Sequence, residues 1–585
     1  MDRKALTHSA ARWPWAGPAA LALLIAAALF VGLGSAVPLG THEGLLAETT
    51  RNMVLDRPVT LDDGSQPSPW LIPNFDGTVR LRKTPLPYWL AAACAKAAGE
   101  VNEWTVRFPS ALAGAGTAVL VALLAWRRHG RVSALLAAGA LVTMAEFLLI
   151  SRRAIADAGL VFWTTACLAA LWAAVERHGA ARAAWLALAG ALGGAAMMAK
   201  GPMPLVILLL PALVAGAIVL GRLRAAKRAG TSTGCEGAWA LGGLAAAATL
   251  FLAISLPWYI YAWLRVPNAW HIWQAESVDR AMGDFGHGEA PWFYLIRLPA
   301  LMLPWTFFVG YGMFLAIRRV RRSEGDNTRP ASGAANEATD AKEWLVYLGA
   351  WLVWPLVALS VFSGKQDHYI LPIFPAAALF VALAFEHFVA SPGGAKAGRR
   401  AMLGHGVAFV LAGVAVFVYS AGWMPELGGP ASVLTKILVA GGVLSLALTL
   451  RWGLPLGLAT LLATSVAAFI WSAPMLIGPL DRSVTDAAFG RKVRELTPAD
   501  ATVLSVRGVN GTVVFYADRR IGIVNSTPEI QTRMALAAPF YLIALDKDTM
   551  EVQIPEGLKM VYHEDRPRNP SLSKTLYAWP GAPAP

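Results

Sequence analysis

The sequence predicts an α-helical polytopic membrane protein of about thirteen transmembrane helices, followed by a small C-terminal α/β extracytoplasmic domain. Three observations carry this reading. Hydrophobic residues make up 56% of the 585 and charged residues only 15%, against about 25% charged in a soluble globular chain. Apolar runs near the ~20 residues that a hydrocarbon core requires recur along most of the length. After Pro479 that pattern stops, and short apolar runs alternate with turn signals.

The chain opens Met1-Asp2-Arg3-Lys4 and then runs apolar from Pro18 to Val37. The core of a cleaved signal peptide is shorter, about 7–15 residues, so this stretch reads as a retained first helix. Helices are expected near 18–38, 109–126, 132–150, 158–176, 183–199, 203–221, 238–263, 291–317, 344–362, 369–389, 402–422, 433–450 and 454–478. With the N-terminus cytoplasmic, alternate loops should be basic. They are: Arg127 to Arg131, Arg177 to Arg182, Arg222 to Arg228, Arg318 to Arg322, Lys396 to Arg400, and Arg451. One missed helix would scramble that alternation downstream. The polar loop Ser323–Lys342 reads as a disordered cytoplasmic linker. Small residues such as Gly190, Gly193 and Gly194 suit close helix packing in lipid, although an Ala-rich composition explains them equally well.

The division is therefore a transmembrane domain over 1–480 and a soluble domain over 481–585. In the latter, Val484–Leu496 has helical periodicity, while Thr502–Val506, Val513–Ala517, Ile521–Val524 and Tyr541–Leu545 read as strands. An odd number of spans puts this domain on the face opposite the N-terminus.

A net charge of +13 would suggest nucleic acid in a soluble chain. Here the cations sit in short loops between apolar spans, which points to topology and to membrane lipids instead, with no nucleic-acid partner. Cys94, Cys167 and Cys235 make neither a disulfide framework nor a metal cage.

The informative charges break the positive-inside pattern. Arg80, Arg82, Lys83, Arg152, Arg153, Lys200, Arg280, Lys365 and His368 fall at the outer ends of spans. Ionisable groups at membrane depth are costly and raise a functional hypothesis. Cations gathered on one face suit a phosphate, with snorkelling to lipid headgroups as the alternative for any one of them. Glu43, Glu48, Asp157, Glu276, Asp279, Asp284, Glu289 and Asp367 share that face. Such carboxylates are either ion-pair partners or candidates for a general base. For Asp157, at the start of a helix, an N-cap is the further alternative.

Several blocks resemble a family. His42-Glu43-Gly44-Leu45-Leu46-Ala47-Glu48-Thr49-Thr50-Arg51-Asn52-Met53 is similar to the pattern Asp-Glu-x-Arg-Tyr-Ala-Glu-x-x-Arg-x-Met. Arg82-Lys83-Thr84-Pro85-Leu86-Pro87-Tyr88-Trp89 is similar to Glu-Lys-Pro-Pro-Leu-Pro-Tyr-Trp. Val106 to Ser110, Arg153 to Asp157, Lys200 to Pro202 and Ser363 to Pro372 add further blocks in the same order. Together they resemble the aminoarabinose transferase and protein O-mannosyltransferase-like group of the GT-C superfamily. The resemblance implies a sugar donor linked to polyprenyl phosphate. It puts Lys83, Arg280 and Tyr369 near the lipid phosphate and Asp157 in the active cavity. Four departures stand out: His42 replaces the family's Asp, Leu45 and Leu46 replace its Arg and Tyr, Arg82 replaces its Glu, and Ala275-Glu276-Ser277-Val278-Asp279-Arg280 replaces His-Glu-His-x-x-Arg. The last removes histidines that could bind metal. No cofactor is called for, with a divalent metal left open.

The expected activity is transfer of a sugar from a polyprenyl-phosphate donor to a lipid or envelope glycan acceptor, on the periplasmic face of a bacterial inner membrane. Glu43 or Asp157 would orient or deprotonate the acceptor hydroxyl, with His42 as neighbour. Lys83, Arg280, Arg153, Lys200, Lys365 and Tyr369 would hold the donor phosphate. The rival readings are a transporter or flippase for a lipid-linked anion, and an inactive binding homologue. No internal repeat of the kind many transporters carry is visible.

Overall fold

A computed structural model describes residues 16–34, 37–230, 235–282, 288–325, 332–391, 393–423, 428–472, 486–536, 538–566 and 570–580. Contact density divides the chain into two compact units. One comprises residues 1–31, 82–87 and 109–472, and the other 32–81, 88–108 and 473–585. The expected boundary at 480/481 lies outside the described residues.

The first unit is a helical bundle. Ten described helices are long and apolar enough to cross a membrane, or eleven if one bent pair counts as a single span. Every expected span falls on a helix, with instructive differences. The helix expected over 18–38 is Ala16–Phe30. The two expected over 109–126 and 132–150 are arms of one element, Glu103–Thr143, broken at Gly130. Its φ of 80° is open to glycine and strained for other residues. The span expected over 291–317 is the bent pair, Phe293–Leu301 and Thr306–Arg322, turned by 114°. Pro299 and Pro304 remove backbone donors there. The linker expected to be disordered is helical from Ser332, where the helix Ser332–Val361 begins. Ala334, Ala335 and Ala338 favour helix, and Asp340 and Glu343 are ion-paired with Arg222.

Small residues set the packing. A Cβ added to Gly190 would lie 2.1 Å from the Ala247 carbonyl oxygen, so the helices Gly179–Lys200 and Glu236–Arg265 meet backbone to backbone.

Charge pairs join the expected basic loops at one end of the bundle. Arg128 pairs with Glu176, Arg182 with Glu236, Arg222 with Asp340 and Glu343, and Glu386 with both His129 and Arg319. At the other end lie Lys83, Asp157, Lys200, Glu276 and Lys365. Alternation of loops along the sequence has become two chemically different ends in space.

The second unit holds a hairpin of β1 (Asn74–Phe75) and β2 (Thr78–Val79) and a mixed sheet. The sheet runs β4-β3-β5-β7-β6, with β3 at Thr502–Val506, β4 at Gly522–Val524, β5 at Phe540–Leu545, β6 at Lys559–Glu564 and β7 at Lys574–Trp579. β3 pairs in parallel with β4 and β5, and β7 antiparallel with β5 and β6. Val513–Ala517, expected as a strand, is a helix over Gly511–Ala517. Asn510 caps it by accepting the Val513 N–H, and all seven residues are buried. A helix buried on every side shows a continuous apolar run, as a buried strand does. Gly511 lets it press against Gly44 of the helix Thr41–Val54, where a Cβ on Gly44 would lie 2.5 Å from the Gly511 carbonyl carbon.

Candidate active site

In the bundle, the helix Ala156–Glu176 begins where its antiparallel neighbour Gly179–Lys200 ends. That connection puts Asp157 in a first turn and Lys200 in a last turn, at one end. Lys200 Nζ donates to Asp157 Oδ1, and His368 Nε2 lies 3.9 Å from Asp157 Oδ2. Asp157 is 5% exposed. Lys200 Nζ also sits 4.5 Å from the centre of the Tyr369 ring, a cation–π contact. Lys83 acts electrostatically on the same carboxylate and is itself ion-paired with Glu276. Glu276 belongs to a single π-helical turn, Ala275–Asp279, a local unwinding that often marks functional sites.

Lys365, at the same end of the bundle, is 3% exposed and donates to the Glu289 carbonyl at 2.9 Å. Burial pushes its ammonium below the usual lysine range, ahead of the opposing pull of Glu289. The Lys365 segment is tied down at both sides: Ser363 and Gly364 donate N–H to the Ala281 carbonyl, and Glu289 donates to Ser363. Arg153 is exposed in the turn before Asp157. The backbone of Arg280 lies in the short helix Arg280–Met282, and its side chain is outside the described residues. Of the expected phosphate ligands, Lys83 and Lys200 act on the one buried carboxylate and Tyr369 on Lys200 through its ring, while Lys365 bonds the Glu289 carbonyl.

Arg152 has a different task. It donates to the Ala28 and Val31 carbonyls at 2.8 and 2.7 Å, capping the end of Ala16–Phe30. Glu146, buried in the short helix Ala145–Ser151, was not anticipated, and its electrostatic neighbours include Asp367, Arg153 and Asp157. The signal was present: an acid inside an expected span is by default functional.

In the second unit, Glu43 is 5% exposed and fully engaged. Arg107 Nε and Nη2 grip its two oxygens at 2.8 and 2.9 Å, and Gly40 donates its N–H at 3.0 Å. Arg107 also donates to the carbonyls of Leu33, Val37 and Pro38. This bidentate pair staples the start of Thr41–Val54 to the preceding loop. His42 is exposed on the first turn of that helix. Glu48 pairs with Arg51 at 2.7 Å, yet burial outweighs that attraction and pushes its carboxyl up to about 7. Tyr88 is 2% exposed, and Trp89 Nε1 donates to the Trp70 carbonyl at 2.7 Å.

No group of three or more His, Cys, Asp or Glu among the described residues is arranged to hold a metal ion. What the bundle site can do is bind an anion, through Lys83 and Lys200, beside a buried carboxylate.

Residues 64–309 match the family described as dolichyl-phosphate-mannose-protein mannosyltransferase. Among curated proteins, an undecaprenyl phosphate-α-4-amino-4-deoxy-L-arabinose arabinosyl transferase of Pseudomonas fluorescens is 30% identical over 364 residues, which is 61% of this chain and 57% of that protein. A counterpart from Pseudomonas aeruginosa is 30% identical over 60% of this chain and 56% of its own length. The chain thus spans a little over half the length of these relatives. Among solved structures, ArnT from Cupriavidus metallidurans bound to undecaprenyl phosphate superposes with a TM-score of 0.72, covering 98% of this chain and 100% of that one at 17% identity. Its apo form gives 0.73 at 16% identity, over the same shares of the two chains. By sequence over the matched residues, this multi-pass membrane protein is similar to undecaprenyl phosphate-α-4-amino-4-deoxy-L-arabinose arabinosyl transferases, and over nearly its whole length it shares the fold of ArnT.

Proposed function

We propose that the chain transfers a sugar from a polyprenyl-phosphate donor to a lipid or envelope glycan acceptor, at the end of the bundle that carries Asp157. The observation that carries the proposal is the buried Asp157 carboxylate among Lys200, Lys83 and His368. Transfer forms a bond from the acceptor oxygen to the anomeric carbon, breaks the bond from that carbon to the phosphate oxygen, and releases the acceptor's proton. Asp157 accepts the acceptor hydroxyl's hydrogen bond and takes its proton. Lys83, Lys200, Lys365 and Arg280 stabilise the negative charge that grows on the departing phosphate, in a site with little competing water. Tyr369 fixes the Lys200 ammonium through its ring. Glu43, its oxygens already occupied by Arg107 and Gly40, positions the first loop and leaves proton transfer to Asp157.

The relatives named above are undecaprenyl-phosphate sugar transferases, which supports a lipid-linked donor. The basic end faces the cytoplasm in this proposal, so the N-terminus is cytoplasmic and the Asp157 end and residues 481–585 are periplasmic, in a bacterial inner membrane. The direct test is sugar transfer by the purified protein from synthetic polyprenyl-phosphate donors to a panel of lipid and glycan acceptors. Mass spectrometry of lipid-linked sugars and envelope glycans in a deletion strain would identify both substrates. No accumulated donor and no altered glycan in that strain, together with no transfer in vitro, would remove the proposal.

A further inference from the structure

A groove of roughly 260 Å³ lies on the helical bundle, walled by Thr306–Gly325, Ser332–Val361 and Phe374–Ala390. Its lining is apolar, with Met313, Ile317, Leu345, Leu352, Val353 and Phe380. Gly349 forms part of its floor, and a Cβ added there would meet nothing within 4 Å. The hollow exists partly because that side chain is missing.

One lining residue is charged. Arg321 is exposed at the groove, and Arg318 and Arg322 are exposed on the same stretch of helix. None of the three has an ion-pair partner among the described residues. Among the described residues, three acids at this end are already engaged: Glu386 with His129 and Arg319, and Asp340 and Glu343 with Arg222. An apolar trough therefore opens beside exposed guanidinium groups that have no ion-pair partner among the described residues. It lies far from the carboxylate site. The helix Ser332–Val361 runs on for ~12 Å past Val353 before ending, and Lys365 lies beyond that end.

We propose that this groove binds an anionic diacyl phospholipid, one acyl chain lying in the trough and the phosphate held by Arg321. A chain enclosed on three sides makes many more dispersion contacts than one lying on a flat helix face. A guanidinium offers a phosphate two parallel hydrogen bonds. The positive mouth favours a headgroup with net negative charge over a zwitterionic one. The inference stands independently of the proposed sugar transfer.

The test is native mass spectrometry of the full-length protein, released from micelles containing equal amounts of dioleoyl phosphatidylglycerol and dioleoyl phosphatidylcholine. The expected result is retention of phosphatidylglycerol at least tenfold over phosphatidylcholine. Arg321→Ala should abolish the preference, and Gly349→Leu should remove bound lipid of either headgroup by filling the trough. Ile317→Trp fills the same space from an exposed position, and serves should Gly349→Leu fail to fold. Lys83→Ala should leave retention unchanged. Equal retention of the two lipids, or retention unaltered by both filling variants, would overturn the proposal. So would displacement of the phospholipid by an equimolar polyprenyl phosphate, because the groove would then be part of the donor's path.

Discussion

Asp157→Asn separates the proposed proton acceptor from the rest of the charge cluster. The substitution keeps the side chain's shape and one acceptor oxygen for Lys200. It removes the counter-charge of the Lys200 ammonium but leaves that cation a neutral oxygen to bond, so the loss is smaller than that of breaking a buried pair outright, about 3–5 kcal/mol. Folding should therefore lose less than that, and the protein should still purify as a single species with a lower melting temperature. Removing a positioned general base costs about 10²–10⁴ in rate, or ~2.7–5.5 kcal/mol in the barrier. Turnover is measured by mass spectrometry of product formed from a synthetic polyprenyl-phosphate sugar, alongside thermal unfolding of the same sample. Lys200→Met gives the complementary pattern: it leaves a buried carboxylate unpaired and should cost ~3–5 kcal/mol of stability. Glu43→Gln should lower stability more than turnover, and His42→Ala, altering an exposed residue, should cost less than Asp157→Asn. A folded Asp157→Asn protein turning over within threefold of wild type would refute the assignment. If His42→Ala instead abolished turnover, the histidine that stands where the family has an acid would be the base.

Lys83→Ala and Arg280→Ala should each weaken polyprenyl-phosphate binding about tenfold or more, the equivalent of losing a charge-assisted contact of 1.5–3 kcal/mol; unchanged affinity in both, measured by fluorescence competition, would count against the phosphate site. A cytoplasm-only reporter inserted near Ser332 should be active and one fused after Pro585 silent; activity at the C-terminus would overturn both the topology and the proposed face. Glu48 provides a pH prediction. Its carboxyl is raised from 4.5 to about 7 in the folded protein, so the folded state binds the proton more tightly than the unfolded chain. Its contribution favours folding below pH 4.5 and is lost as pH rises through 7, on the order of 2–3 kcal/mol. Glu48→Gln should remove that fall, seen by comparing melting temperatures of the two proteins from pH 5 to 8; parallel curves would mean that the carboxyl titrates normally.

How much of this was legible beforehand depended on which physical signal each element carried. Transmembrane helices announce themselves because lipid demands both length and apolarity, and neither requires knowledge of a neighbour. Their ends are less legible. Gly130 breaks one long element between two expected spans, and 302–305 bends another, where local backbone chemistry overrides composition. Val513–Ala517 was misread as a strand because a segment buried on all sides has no period to read. Strands β6 and β7 escaped notice because their apolar runs are short and flanked by polar residues, as in Lys559-Met560-Val561-Tyr562-His563-Glu564.

The site shows the same limit more sharply. Sequence could place Glu43 and Asp157 on the same expected face, since each follows an apolar span of known parity. It could not say which acid is saturated, because saturation depends on partners distant in the chain. Arg107, 64 positions after Glu43, satisfies both carboxylate oxygens and adds three carbonyl contacts. Lys200, 43 positions after Asp157, bonds one oxygen. The consequence is chemical. A carboxylate held in a bidentate fork, with a backbone N–H added, has little lone-pair capacity left for an incoming hydroxyl. A carboxylate held through one oxygen by a lysine stays anionic while its second oxygen, 3.9 Å from His368, remains able to accept. That asymmetry, rather than position in a motif, is the reason the proton is assigned to Asp157.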